Sequence, residues 1–365
     1  MKRISFAVLL GTLFAVSPGA RASEGEGQRL EPLAHFNAYP DAGYNDCWGY
    51  TAPDGREYAL LGVQNGTSVI DITDAPDLRE IAFIPSANSI WKDIKTFDHY
   101  AYVVNETGGG LQIIDLSDLP RSARLAATYR RFQTSHNINI DVPNAILYAE
   151  GDEAEPVRTL SLANPIAPVQ VSAFGVEAHD IYARGGIAYV SEGYHGTVGV
   201  FDLTTPSRPR QLGRFRIPDA GYVHNAWLTD DGTHLMTTEE TEGKTVKMWD
   251  VRDLAHVRMT GEYLAPNGLA HNTHIKGNYA YISHYGSGLR IVDVTNRSSL
   301  REVAYQQKDE AEAPWLGETF GLTPTAEVYT AAWGAYPFFR SGKVLVSDIE
   351  AGLFVVQFDG AREEP

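Results

Sequence analysis

His271-Asn272-Thr273-His274-Ile275-Lys276-Gly277-Asn278-Tyr279-Ala280-Tyr281-Ile282-Ser283-His284-Tyr285-Gly286-Ser287-Gly288-Leu289-Arg290-Ile291-Val292-Asp293-Val294-Thr295 reads as three short strands separated by Gly- and Asx-rich turns. A fourth alternating segment follows and ends in Tyr305. The same layout recurs upstream. An Asp or Asn opens each unit at Asp46, Asp93, Asn137, Asp180, Asn225 and Asn272, at intervals of 47, 44, 43, 45 and 47 residues. Intervals this regular belong to a repeat architecture.

Each unit divides alike. The second strand is Ala-Tyr-Val-like, as in Ala101-Tyr102-Val103, Ala188-Tyr189-Val190 and Ala280-Tyr281-Ile282. The third ends on an acidic stop, in Val69-Ile70-Asp71, Ile113-Ile114-Asp115, Val200-Phe201-Asp202, Met248-Trp249-Asp250 and Ile291-Val292-Asp293. Prolines such as Pro76, Pro120, Pro165 and Pro206 then interrupt ladder pairing, because proline has no N–H donor. An aromatic closes the fourth strand at Phe36, Phe83, Tyr129, Phe174, Phe215, Tyr263 and Tyr305. Four strands per unit describe a β-propeller blade, and seven aromatic closures count seven blades. The first such strand, Leu33-Ala34-His35-Phe36, precedes its unit, while the last unit, Trp333 to Phe358, supplies only three strands. The all-β chain is therefore expected to close as a ring, the N-terminal strand completing the last blade and removing two open edges.

Repeats of the form Leu289-Arg290-Ile291-Val292-Asp293-Val294-Thr295 resemble the LVIVD repeat. Asn45-Asp46-Cys47-Trp48-Gly49, Ser135-His136-Asn137-Ile138, His224-Asn225-Ala226-Trp227 and Trp333-Gly334-Ala335-Tyr336-Pro337, distributed over the repeats, resemble the choice-of-anchor B proteins. That resemblance implies an exported or surface-attached propeller and no established reaction. The chain departs from it in having no recognisable anchor.

Lys2 and Arg3, the apolar run Ile4 to Val16 and Ala20-Arg21-Ala22 have the form of a signal peptide over residues 1–22, leaving one propeller domain over 23–365. The expected destination is periplasmic or extracellular. Loss of Lys2, Arg3 and Arg21 would take the net charge from −16 to −19, which disfavours nucleic acid and anionic lipid as partners. No second apolar span follows, so no membrane crossing is expected and a soluble monomer is. The single cysteine, Cys47, excludes an internal disulfide and reads as a small buried hydrophobe.

Histidine precedes the Asx residue in four consecutive units, giving a column of His136, His179, His224 and His271, with His274 near it. Units one and two carry Asn45 and Lys92 there instead. In an antiparallel blade the start of the first strand and the end of the second share one end of the sheet. Glu106, Glu150, Glu192, Glu239, His284 and Asp348 end the second strands, so imidazoles and carboxylates are expected together at one mouth of the channel. The Asx residues are expected to bond the backbone of their own turns. The histidines admit two readings. One is cohesion between blades; the other is a divalent metal, zinc or copper, held by His136, His179, His224, His271, His274, His284, Glu106 and Glu150.

The functional expectation is a binding or scaffold module for a small molecule or protein at that mouth, with no certain cofactor. The alternative is a metal-dependent hydrolase or oxidase there, with Glu192 or Glu239 as general base. An insertion over 306–330, between units six and seven, is placed to reach the same mouth. No GxSxG elbow, HExxH, CxxC or EF-hand spacing occurs, and Gly108-Gly109-Gly110 fits a blade turn better than a phosphate loop.

Overall fold

The computed structural model of the chain describes residues 27–266, 268–307 and 331–361. The proposed leader and residues 308–330 of the insertion lie outside the described residues. Within them the chain forms seven sheets, one for each unit, arranged as a seven-bladed β-propeller. Two short 3-10 turns, Val142–Asn144 and Asp359–Ala361, are the only helical elements among the described residues. Among the described residues no helix is long and apolar enough to cross a membrane.

The innermost strands, blade by blade, are Tyr44–Thr51, Lys92–Phe97, Ile138–Asp141, Asp180–Arg184, Val223–Leu228, Ala270–Lys276 and Ala332–Tyr336. All seven aromatic closures fall on the fourth strands of their blades, counted outward from the axis. The acidic stops cap the turn that follows the third strand. Asp71 accepts the Thr73 amide at 3.0 Å, Asp115 that of Ser117 at 2.9 Å, Asp202 that of Thr204 at 3.0 Å and Asp293 that of Thr295 at 2.8 Å. This local bond explains why an acid ends the repeat's apolar run.

Ring closure is made by Pro32–Phe36, which pairs antiparallel with Gly352–Gln357 and completes blade seven. The chain just before it adds a contact the sequence did not announce: Gln28–Arg29 pairs in parallel with the outer strand Arg301–Gln306 of blade six. The N-terminal segment therefore staples two adjacent blades.

Apolar side chains meet between blades. Leu60 and Val69 of blade one pack with Ile94, Val103 and Ile114 of blade two, and equivalent clusters fill each of the seven junctions. Second strands such as Glu57–Val63 are buried along their whole length, because a neighbouring blade covers each face. Each buried aliphatic residue contributes about 1.5–3 kcal/mol, which is how the chain stands without disulfides. Cys47 is buried in the junction of blades seven and one, as expected of a small hydrophobe.

Candidate functional site

Alternation along a strand sends every second side chain to one face, so a His next to a channel-facing Asx should point into the blade. A local irregularity changes this. Register shifts interrupt pairing between Val223 and Asn225, Ala270 and Thr273, and Ala332 and Gly334, at the positions of His224, His271 and Trp333. A bulge of this kind re-aims a side chain. In blades three and four the histidine lies just before the inner strand begins, at His136 and His179.

The result is a chain of rings along the mouth. His136 lies 4.7 Å from His179, His179 4.0 Å from His224, and His224 4.4 Å from His271, centroid to centroid. The series continues to Trp333 at 4.5 Å and from Trp333 to a stacked Trp91 at 4.6 Å. Four imidazoles and two indoles make up this series. Lys92, in the histidine column of blade two, turns away and gives its ammonium to the Val63 and Gly66 carbonyls at 2.6 and 3.0 Å and the Ser86 hydroxyl at 2.7 Å. Burial there pushes its pKa down to about 7.

Hydrogen bonds assign the ring nitrogens. Nδ1 of His179 is 3.0 Å from the His224 carbonyl oxygen, and Nδ1 of His271 is 2.5 Å from that of Trp333. Both donate, which leaves each Nε2 as a lone-pair donor. Nδ1 of His136 is 2.5 Å from Glu106 Oε1. Burial keeps His179 and His224 neutral, well below the usual imidazole value, and lowers His271 to about 3. In His136 burial also opposes the charge, but the Glu106 hydrogen bond and the Glu150 charge outweigh it and raise the ring to about 9. Burial lifts Glu150 to about 8.

Ligand atoms of His136, His179 and His224 lie within 4.8 Å of one another, as do those of His224, Glu240 and His271. Both sets share His224. Donors on a tetrahedral zinc at about 2.0–2.1 Å stand roughly 3.4 Å apart, so either set would draw in by about an ångström on closing round an ion.

The other expected ligands and bases go elsewhere. His274 lies deeper in the channel, edge-on to Trp227 at 4.6 Å, and burial lowers it to about 3. His284 turns its Nδ1 to the Tyr285 carbonyl at 3.0 Å, and burial lowers it to about 4. Glu192 is fully buried in a fork with Arg214, at 2.7 and 2.9 Å, and accepts from Thr197. Glu239 pairs with Lys247 and accepts the Gly221 amide at 2.6 Å. Besides Glu106 at His136, the carboxylate set beside the imidazoles is Glu240 rather than Glu239, with Oε2 3.8 Å from His224 Nε2. The signal was the doubled Glu at the strand end, where alternation sends one acid into the blade and its neighbour to the mouth.

The expectation that each Asx caps its own turn is corrected. The Ile94 amide of blade two donates to Asp46 of blade one at 3.0 Å, the Ile138 amide to Asp93 at 2.6 Å, and the Thr273 amide to Asn225 at 3.0 Å. Asp46, Asp93 and Asn225 reach the next blade's inner strand, because the inner strands converge on the axis, while Asp180 also accepts the Ile181 amide of its own strand at 2.6 Å. These residues form a plug below the imidazoles, around a cavity of about 20 Å³. Inside it Lys95 pairs with Asp93 and stands 3.8 Å from Asp46.

Two segments, residues 91–127 and 267–305, match the LVIVD repeat family. They correspond to blades two and six. No curated protein matches the chain. The crystal structure of Chaetomium thermophilum Raptor is similar in fold, with a TM-score of 0.65 at 13% identity over 90% of this chain, which spans 29% of that one. At that identity the likeness is one of fold alone.

Proposed function

We propose that the protein is an exported propeller that works as a binding module, with a transition-metal ion held by the imidazoles at one channel mouth. The observation that carries this reading is the pair of Nδ1-to-carbonyl bonds from His179 and His271, which fix the tautomers that present Nε2. Metal-binding histidines characteristically give their other nitrogen to a carbonyl or carboxylate, and Glu106 does the same for His136. A nitrogen-rich donor set suits zinc or copper better than calcium. Elemental analysis of protein recovered from its exported compartment tests the reading, with His179→Ala/His224→Ala as control. Stoichiometric metal in the parent and none in the double variant is expected. Metal-free parent protein that takes up no zinc or copper on reconstitution would leave the histidines a purely cohesive role.

The second reading, a metal-dependent hydrolase or oxidase at the same mouth, is supported by the position of Glu240 beside His224. It predicts turnover of an activated ester or a phenolic substrate by the metal-loaded protein. With the ion on His136, His179 and His224, Glu240→Gln should abolish that turnover while metal is retained.

A further inference from the structure

Two residues beyond each Asx, the inner strands return to the channel face. This places Trp48, Lys95, Asn139, Tyr182, Trp227 and His274 in one layer, with Tyr336 two residues after Gly334 completing it, on the side of the plug opposite the column His136, His179, His224 and His271. Beyond them the channel widens into a second pocket of about 380 Å³ at the other mouth. No catalytic or metal expectation drawn from the sequence falls on its walls.

Those walls are aromatic and mutually braced. Trp227 lies 4.4 Å from Tyr182 and 5.7 Å from a near-parallel Phe338, and Trp48 lies 5.0 Å from Tyr336. All of them stand on inner strands or the turn immediately after, so their placement is rigid. A concave site with aromatic walls and few polar groups is the usual form of a small-molecule site. Rings packed against one another in this way leave flat faces toward the pocket, and a flat guest covers them best.

Charge narrows the choice. At the floor, Lys95 lies 4.3 Å over the Trp48 ring and is neutralised by Asp93. At the lip, Asp141 is consumed by the Gly185 and Gly186 amides at 3.1 and 2.6 Å and by Asn144 at 2.8 Å. Arg184 gives one Nη2 hydrogen to the Thr229 carbonyl at 3.0 Å and pairs with no carboxylate among the described residues. Its remaining donors keep the fork geometry that suits a carboxylate. On a protein of net charge −16, a half-buried arginine that makes no direct ion pair among the described residues, beside an aromatic pocket, is a specific feature.

We infer that this second mouth binds a planar aromatic carboxylate, its ring laid against the pocket faces of Trp227, Phe338 and Trp48 and its carboxylate on Arg184. The inference is independent of the metal reading at the opposite mouth. Equilibrium dialysis or calorimetry with 2-naphthoate, uncharged 2-naphthamide and 2-naphthylmethylammonium tests it. Saturable naphthoate binding is expected, at least ten-fold tighter than the amide, with the ammonium weakest. Arg184→Gln should reduce naphthoate affinity to that of the amide and leave the amide unchanged, and Trp227→Leu should weaken both at least ten-fold. His224→Ala, at the far mouth, should change neither. No saturable naphthoate binding, ammonium or amide binding as tight as naphthoate, or an Arg184→Gln protein of unaltered fold that binds naphthoate like the parent would each overturn the proposal.

Discussion

Nδ1 of His179 lies 3.0 Å from the carbonyl oxygen of His224, so one blade's imidazole is oriented by the backbone of the next. His271 repeats the relation with Trp333. Because the acceptor is backbone, replacing the neighbouring side chain should not release the tautomer. His224 itself belongs to both candidate ligand sets. His224→Ala should therefore lower zinc affinity by well over the 10–100-fold typical of losing a supporting partner. His136→Ala and His271→Ala should part company, the damaging one naming the set in use. Competition titration with a chelating indicator reads all three. In the parent protein, metal at 100 times its Kd should add about 2.7 kcal/mol of stability, visible as a raised Tm.

The central plug holds two buried acids and one amine. Burial pushes the Asp46 carboxyl well above the usual aspartate value, and it hydrogen-bonds Asp93. Burial acts on Asp93 too, but the Lys95 ammonium outweighs it and holds this second acid below the usual value. In the folded protein Asp46 thus keeps a proton that the unfolded chain gives up, so its contribution falls as pH rises from the ordinary aspartate range toward its raised value. Asp46→Asn keeps an acceptor for Ile94 and removes this slope. It should be neutral or stabilising at pH 7, with a smaller loss of urea midpoint between pH 4 and 8 than the parent shows. Asp93→Asn leaves Lys95 without its counter-ion and should cost about 3–5 kcal/mol.

The contrast between those acids shows what was legible in the sequence. Asp46 and Asp93 sit at the same repeat position as Asn137, Asn225 and Asn272, and that period together with the seven aromatic closures led to seven blades and the strand that closes them. Their partners were hidden, since a bond to the next blade depends on how inner strands converge. The histidine column was legible by the same period, but its direction was not: the bulges at His224 and His271 have no marker in residue type. Lys92 shares the column and turns away because carbonyls of blade one lie within its reach. The second pocket did carry a signal, Trp48, Tyr182, Trp227 and Tyr336 at one fixed offset from the repeat's start. An aromatic on a strand is ordinary, however, and only the shared face makes these a site.

Blade seven has Gly334 where other blades carry Asx, and packing explains the exception. A Cβ there would stand 2.5 Å from Asp46 Oδ1, 3.1 Å from Ser347 Oγ and 3.2 Å from the Cys47 amide. Gly334→Ala should destabilise by about 1–3 kcal/mol through overpacking at the junction of blades seven and one. Combining it with Asp46→Ala removes the nearest clash. The double variant should then lose less stability than the two single losses added together, as measured by urea denaturation.

Closure rests on two short strands with different tasks. Gln28–Arg29 adds a parallel rung to blade six, and Leu30 behind it is buried in the junction of blades six and seven. Pro32–Phe36 supplies the whole outer strand of blade seven, and Ala34 is buried against Leu353 and Val355. Starting the chain at Pro32 removes the first contact alone and should lower Tm while leaving a monodisperse species of unchanged size. Starting it after Phe36 exposes the backbone edge of Gly352–Gln357, an apolar strand flanked by buried neighbours. An open edge of this kind pairs with other chains. That shorter protein should elute as oligomers or precipitate, and adding a peptide of residues 27–37 during refolding should restore the smaller species by supplying the missing strand.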